Sequence, residues 1–159
     1  MKFLVDGMLG KLARWLRLIG CDVKYLNNLS DSQLIETAQN EGRALLTSDV
    51  QLYRLANTRG IEAYLIEGKT EAEKLAKVSA RFNIKLDINA STSRCTTCNS
   101  ILKPISKRQI KGKVPEKTIR AYAEFWKCPN PKCAKIYWSG RQWQNIVKTI
   151  DEAKKLLAA

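Results

Sequence analysis

Apolar positions along the first 82 residues alternate between short continuous runs and helical spacings. Residues 2–6, KFLVD, read as a short buried strand. Leu9, Leu12, Ala13, Leu16 and Ile19 then recur at helical spacing, with Lys11, Arg14 and Arg17 on the opposite side and Gly20 placed as the stop. VKYL (23–26) is a second strand. Ser30-x-x-Gln33 has the form of a capping box and opens a helix with Leu34, Ile35 and Ala38 on its apolar side, ended by Gly42. ALLT (44–47) is a third strand, Ser48-x-x-Gln51 a second capping box, and Gly60 the close of the helix it opens. EAYLI (62–66) is a fourth strand, and Thr70-x-x-Glu73 caps a helix that runs to Phe82. Every strand-to-strand connection is long enough for a helical crossover. The pattern therefore predicts a mostly parallel sheet with helices on both faces.

The pattern changes after residue 82. Residues 83–93 read as a connector and 94–138 as a cysteine-bearing segment. The tail is a helix with Trp143, Ile146, Val147 and Ile150 on one stripe. The expected organisation is an α/β domain over residues 1–90, then a small ribbon and C-terminal helix over 91–159.

Charge sharpens this division. The net charge of +13 lies mostly in the second part: residues 1–90 carry 13 basic and 11 acidic side chains, residues 91–159 carry 15 and 4. A basic half beside a near-neutral one points to a polyanion, most simply nucleic acid; a solubilising surface or an acidic protein partner are the alternatives. The absence of histidine excludes Ser-His-Asp and Cys-His catalysis, histidine-based ribonuclease chemistry and imidazole-ligated zinc. Any catalysis must then use carboxylates with a metal, Lys or Cys. The first apolar run is broken at Asp6 and no run approaches the ~20 residues of a membrane span, so a cytoplasmic, membrane-free protein is expected.

Four of the five cysteines form two close pairs, Cys95-x2-Cys98 and Cys128-x4-Cys133, 29 residues apart. This is the pattern of a zinc ribbon, in which four thiolates close a tetrahedral structural site; two disulfides are the alternative. Asn99 and Ser100 follow the first pair, where backbone N–H groups commonly bond thiolates. Cys21 reads as a buried small residue. Lys103, Lys107, Arg108, Lys111, Lys113 and Lys117 make a basic loop inside the ribbon, suited to phosphate contact or simply solvated. Tyr122, Phe125, Trp126, Tyr137 and Trp138 are interleaved with Lys and Arg. Packing around the ribbon is the favoured role for most of these rings, and stacking on unpaired bases is the other.

Three aspartates share a placement. Asp6 ends the first strand, Asp31 opens the second helix, and Asp49 follows the third strand. In an open parallel sheet, strand C-termini and helix N-termini face one crevice where ligands bind. Converging carboxylates repel unless a cation lies between them, and hard oxygen donors suit Mg²⁺ or Mn²⁺, chemistry that serves phosphodiester hydrolysis without histidine. Each aspartate also has a structural explanation, as a helix-dipole partner or a turn starter. Thr47 and Ser48 are placed to orient a water or ligand, or Ser48 to cap. Glu36 and Glu67 rank below the three aspartates.

The stretch Phe3-Leu-Val-Asp-Gly-Met-Leu-Gly-Lys-Leu-Ala-Arg-Trp-Leu-Arg17, with Gly20-Cys21-Asp22, Leu45-Leu46-Thr47-Ser48-Asp49, Arg94-Cys95-x-x-Cys98-Asn99 and Tyr137-Trp138-x-Gly140, resembles one family. It is the PIN-like RNase domain with a C-terminal zinc ribbon, named after the C-terminal region of the Mut-seven exonuclease. The likeness runs in order over residues 3–143. It implies a PIN-like three-layer α/β/α fold, a Mg²⁺- or Mn²⁺-dependent ribonuclease, and a structural Zn²⁺ ribbon engaging RNA. It also implies catalytic acids at Asp6, Asp31 and Asp49, and phosphate contacts from Lys11, Arg14 and Arg17. The chain departs from the family at Cys128-x4-Cys133, where a second C-x2-C is usual. A second departure is Gly140-Arg141-Gln142-Trp143, where Gly-Ser-His-Trp is frequent. The expected function is RNA hydrolysis with the basic ribbon, including Lys107, Arg108, Lys111 and Lys113, engaging RNA. The alternative is a non-catalytic RNA-binding or ribosome-associated protein.

Overall fold

Strand β1 (Lys2–Asp6) buries three successive side chains, as a central strand covered on both faces must. Phe3 and Val5 point to one side and Leu4 to the other. The computed structural model describes residues 1–159. It places β2 (Asp22–Leu26), β3 (Ala44–Thr47) and β4 (Ala63–Leu65) with β1 in a four-stranded, wholly parallel sheet of order β2-β1-β3-β4. The parallel pairing follows from the crossover lengths. The fourth strand is shorter than its apolar run, although Glu62 and Ile66 still hydrogen-bond to β3.

Helices α1 (Gly10–Leu18) and α4 (Glu71–Phe82) cover the Phe3/Val5 face; α2 (Asp31–Glu41) and α3 (Val50–Thr58) cover the Leu4/Leu45 face. Ser30 and Gln33 form the expected reciprocal capping box on α2, and Thr70 accepts from the Glu73 amide to start α4. The second expected box does not form. Asp49, not Ser48, caps α3, its Oδ1 accepting from the Gln51 and Leu52 amides. The carboxylate one residue nearer the helix takes the role.

The ribbon is a three-stranded antiparallel sheet, β5 (Lys103–Ile105), β6 (Phe125–Lys127) and β7 (Ile136–Tyr137). Short helices α5 (Lys107–Ile110) and α6 (Glu116–Ala121) lie between β5 and β6. Ile110, Val114 and Phe125 make its small apolar centre, and Phe125 packs against Trp138. Helix α7 (Arg141–Ala158) leaves the ribbon and returns to α4, where Ile150 and Ala153 join the same core as Phe3 and Leu75. Of the expected stripe, Ile150 is buried and Ile146 packs against that core. Trp143 stacks on Trp126 instead, and Val147 is exposed. No helix is long and apolar enough to cross a membrane.

Candidate functional site

The sheet order creates a switch point. From β1 the chain moves outward to β2, then crosses back to β3 on the other side of β1. Helix α1, following β1, and α3, following β3, lie on opposite faces. The carboxyl ends of two such strands diverge into a crevice, the usual ligand position in open α/β sheets. Asp6 ends β1, and Thr47-Ser48-Asp49 follows directly at the end of β3.

Thr47 joins the two acids. Its buried hydroxyl donates to Asp6 Oδ2 at 2.8 Å and accepts from the Asp49 amide at 3.0 Å. One Asp49 oxygen is used by the α3 cap, and its other oxygen and Asp6 Oδ1 are left without a protein donor. Asp31 sits exposed in the first turn of α2, at the same sheet edge, with no hydrogen bond to either acid. Glu36 and Glu67 are exposed. Met8 is 82% exposed, two residues after Asp6, and Val50 is exposed directly after Asp49, so apolar side chains flank the acids.

The four paired cysteines lie with their sulfurs all within 4.8 Å of one another. Cys95 and Cys133 are 3.7 Å apart, and Cys98 and Cys128 are 3.2 Å apart. A tetrahedron with Zn–S near 2.3 Å needs sulfurs about 3.8 Å apart, whereas a disulfide needs ~2 Å. The cluster is a set of free thiols that can hold a zinc ion. Backbone amides of Ser100, Asn130 and Lys135 favour the thiolates of Cys98, Cys128 and Cys133. Burial opposes the Cys98 thiolate, but the Ser100 hydroxyl and amide, with the neighbouring thiols, outweigh it and bring the pKa down to about 6. Burial and the facing Cys98 push Cys128 up to about 12. Tyr137 contacts Cys95 through its hydroxyl at 3.1 Å and accepts from the Thr96 amide. Cys21 is buried away from this cluster, its pKa pushed up to about 11 by that burial, as an inert packing residue.

The expected basic groups divide. Lys11 and Arg14 are exposed on α1. Arg17 is not a free phosphate ligand: it is only 7% exposed and is spent on backbone carbonyls. Its Nε and Nη2 donate to Val23 O at 3.0 and 2.8 Å, and its Nη1 to Thr96 O at 2.7 Å. Burial lowers its pKa, and the facing Cys95 and Cys98 sulfurs act in the opposite direction. Helical spacing puts Arg17 on the polar side; what it cannot show is that the ribbon's first knuckle covers that side. Lys107, Arg108, Lys111 and Lys113 are all exposed on and after α5. Most of the ribbon's rings pack on one another, as expected.

Sequence reasoning missed Lys135, Arg141 and Gln142, which line cavities between α1 and the ribbon. It also missed Asn99 as a side-chain clamp: Asn99 Oδ1 accepts from the Val23 amide at 3.0 Å, and its Nδ2 donates to Asp22 Oδ1 at 2.8 Å. The neighbouring Arg43 completes that corner, donating to the same Asp22 oxygen at 2.9 Å.

Among known proteins, the chain is similar to the human exonuclease mut-7 homolog, at 36% identity over 97 residues. That segment is 59% of this chain and 11% of the relative, so the chain corresponds to a small part of that protein. A solved domain of a functionally unknown protein from Methanocaldococcus jannaschii aligns at 18% identity and a TM-score of 0.29. It covers 43% of this chain and 74% of that one, too slight a likeness to argue from. The model of the Mut7-C RNAse domain matches residues 1–150, nearly the whole chain and both the acid edge and the cysteine cluster, and the protein belongs to that family.

Proposed function

We propose that this protein is a divalent-metal-dependent ribonuclease that hydrolyses RNA phosphodiester bonds at the Asp6–Asp49 edge, with its basic ribbon engaging the RNA. The observation that carries the reading is the pairing of Asp6 and Asp49 through Thr47 at the sheet's switch point. The RNase name of its family and the exonuclease name of the human relative support it. Asp6 Oδ1 and the second oxygen of Asp49 are hard donors that accept no protein hydrogen bond and suit Mg²⁺ or Mn²⁺, with Asp31 the third candidate ligand. A bound divalent cation supplies charge neutralisation at the phosphate and makes water a stronger nucleophile at neutral pH. Thr47 fixes the Asp6 carboxylate and the turn that presents Asp49. Lys11 and Arg14, exposed on the helix after β1, meet the substrate backbone. Four thiolates hold structural Zn²⁺, and the loop carrying Lys107, Arg108, Lys111 and Lys113 adds phosphate contacts.

A second reading, a non-catalytic RNA-binding or ribosome-associated protein, is favoured by two observations. Asp49 already serves α3 as its cap, and Asp31 is bonded to neither acid. The test is cleavage of end-labelled RNA with Mn²⁺ or Mg²⁺ by the parent and by Asp6→Asn/Asp49→Asn, with RNA binding measured for both. Asn retains the cap, so folding is preserved. Metal-dependent cutting lost in the variant with binding kept supports the ribonuclease. Equal background cutting with tight binding supports the second reading.

A further inference from the structure

Two adjoining cavities open between α1 and the ribbon. The first, about 490 Å³, is lined by Arg14 and Arg17 from α1, Tyr25 from β2, Thr96 from the first knuckle, and Lys135 and Gln142. The second, about 280 Å³, shares Thr96, Lys135 and Gln142 and adds Arg141, Trp138 and Trp143. The first falls within the ~300–1,000 Å³ common for small-ligand sites.

Three features characterise this groove. No carboxylate lines either cavity. Arg14, Arg17, Lys135 and Arg141 come from three separate parts of the chain to one recess and, like most cations of this basic protein, have no carboxylate partner within 4.0 Å. Converging cations without counter-charge repel one another, and an anion in the groove relieves that cost. One end of the groove, lined by Gly10 at the start of α1, lies four residues along the chain from Asp6. Tyr25, in its wall, donates its hydroxyl to the carbonyl of Gly7, the residue after Asp6, at 2.6 Å.

The ligand chemistry follows from the lining. Cations spaced along a concave channel track a chain of phosphates, and half-buried indoles offer faces or edges to unpaired bases. A duplex presents its phosphates on a wide convex surface and keeps its bases stacked inside, so it reaches the exposed α5 loop but not a recess of this kind. We propose that the groove between α1 and the zinc ribbon is a binding channel for single-stranded RNA that leads to Asp6, with Arg14, Lys135 and Arg141 on phosphates and Trp138 and Trp143 against bases. The channel deepens the ribonuclease reading above by making the substrate single-stranded. It also gives Arg17 a place: fixed on two carbonyls, it forms the positively charged floor.

The test reads binding, not cutting. The full chain carrying Asp6→Asn/Asp49→Asn, purified with zinc, is titrated against a fluorescein-labelled short single-stranded oligoribonucleotide and against the same strand in a duplex. Two further variants are made in that background. Lys135→Ala/Arg141→Ala empties the groove of two exposed cations, and Lys107→Ala/Lys113→Ala removes the same charge from the α5 loop. The groove variant is expected to weaken single-strand binding about tenfold or more, and to lower the salt slope by about 1.4, at ~0.7 for each phosphate no longer neutralised. Duplex binding is expected to change much less. The loop variant is expected to weaken both probes alike, keeping the preference for the single strand. Trp143→Phe, which keeps a ring against Trp126, guards against a folding loss and is expected to weaken the single strand selectively. Groove variants that bind the single strand within about twofold of the background protein overturn the proposal. So does a single-strand preference abolished by the loop variant, or equal competition by poly-glutamate. If the parent cleaves RNA while the groove variants bind normally, only the channel fails. If binding follows the groove but nothing is cut, only the ribonuclease reading fails.

Discussion

Arg17 carries more of this structure than its place in a helical pattern suggests. Its spacing groups it with the exposed Lys11 and Arg14, yet it is buried, and three of its N–H groups bind carbonyls of β2 and of the first cysteine knuckle. Replacing it with Met leaves Val23 O and Thr96 O without their donors in a buried setting. The expected loss is about 3 kcal/mol in urea unfolding, and Arg17→Lys recovers little of it because an ammonium cannot span both carbonyls as the planar fork does. Asp22 offers a pH test of the same corner. Burial acts against its carboxylate, but the hydrogen bonds from Arg43 and Asn99 and the charges of Arg43 and Arg94 outweigh it and hold its pKa below the ordinary aspartate value. A carboxylate with a depressed folded pKa stabilises fully above its unfolded value, near 3.8, and loses that contribution as pH falls through the lower folded value. Asp22→Asn is therefore expected to cost about 1 kcal/mol at pH 7. The difference from the parent should close in unfolding curves taken progressively below pH 4, where proton uptake by Asp22 removes the same charge.

At the scale of elements, the parts of the fold fixed by nearest neighbours were legible and those fixed by distant ones were not. The Ser30–Gln33 box and the Thr70 cap are local arrangements of side chain and backbone three residues apart, so their residue types announce them. The Ser48 box failed because Asp49, one step on, competes for the same amides, a contest residue types alone do not decide. Helix α7 showed its apolar stripe, but not that the stripe divides between Trp126 of the ribbon and the core under α4. Asp6 and Asp49 were legible as candidates because strand ends and helix starts fall on one edge of a parallel sheet. The bridge through Thr47, 41 residues from Asp6, was not. Asp49 separates its two roles experimentally. Asp49→Ala removes the cap and should lower stability by about 1 kcal/mol, while Asp49→Asn keeps it and should unfold near the parent midpoint. If the ribonuclease reading holds, both variants lose metal-dependent cutting, so stability and activity part company in the Asn variant alone.

Across the whole molecule, the ribbon is fastened to the α/β unit at both ends, through Asn99 and Thr96 near its start and through α7 after its last strand. The first fastening passes through the cysteine knuckle itself. Asn99 follows Cys98 with φ at +75°, and its side chain is aimed at β2 by the turn that brings Cys95 and Cys98 together. The left-handed backbone at a non-glycine residue is costly in isolation and persists where surrounding bonds hold it. Here those bonds are the Cys95–Ser100 and Asn99–Cys95 backbone pairs of the knuckle. If the cluster holds zinc as proposed, stripping the ion takes away the shared ligand that ties the four sulfurs together, so the turn should loosen, release Asn99, and leave the Val23 amide without its acceptor. The consequence should appear outside the ribbon. In hydrogen exchange on the zinc-loaded and chelator-stripped protein, the Val23 amide is expected to exchange at least about tenfold faster after stripping. The Ile61 amide, bonded to Ala56 on the far face of the sheet, should keep its protection, which distinguishes local release from global unfolding. Loss confined to ribbon amides, with Val23 unchanged, would mean that the knuckle keeps its shape without metal and that the two parts of the molecule are not coupled through it.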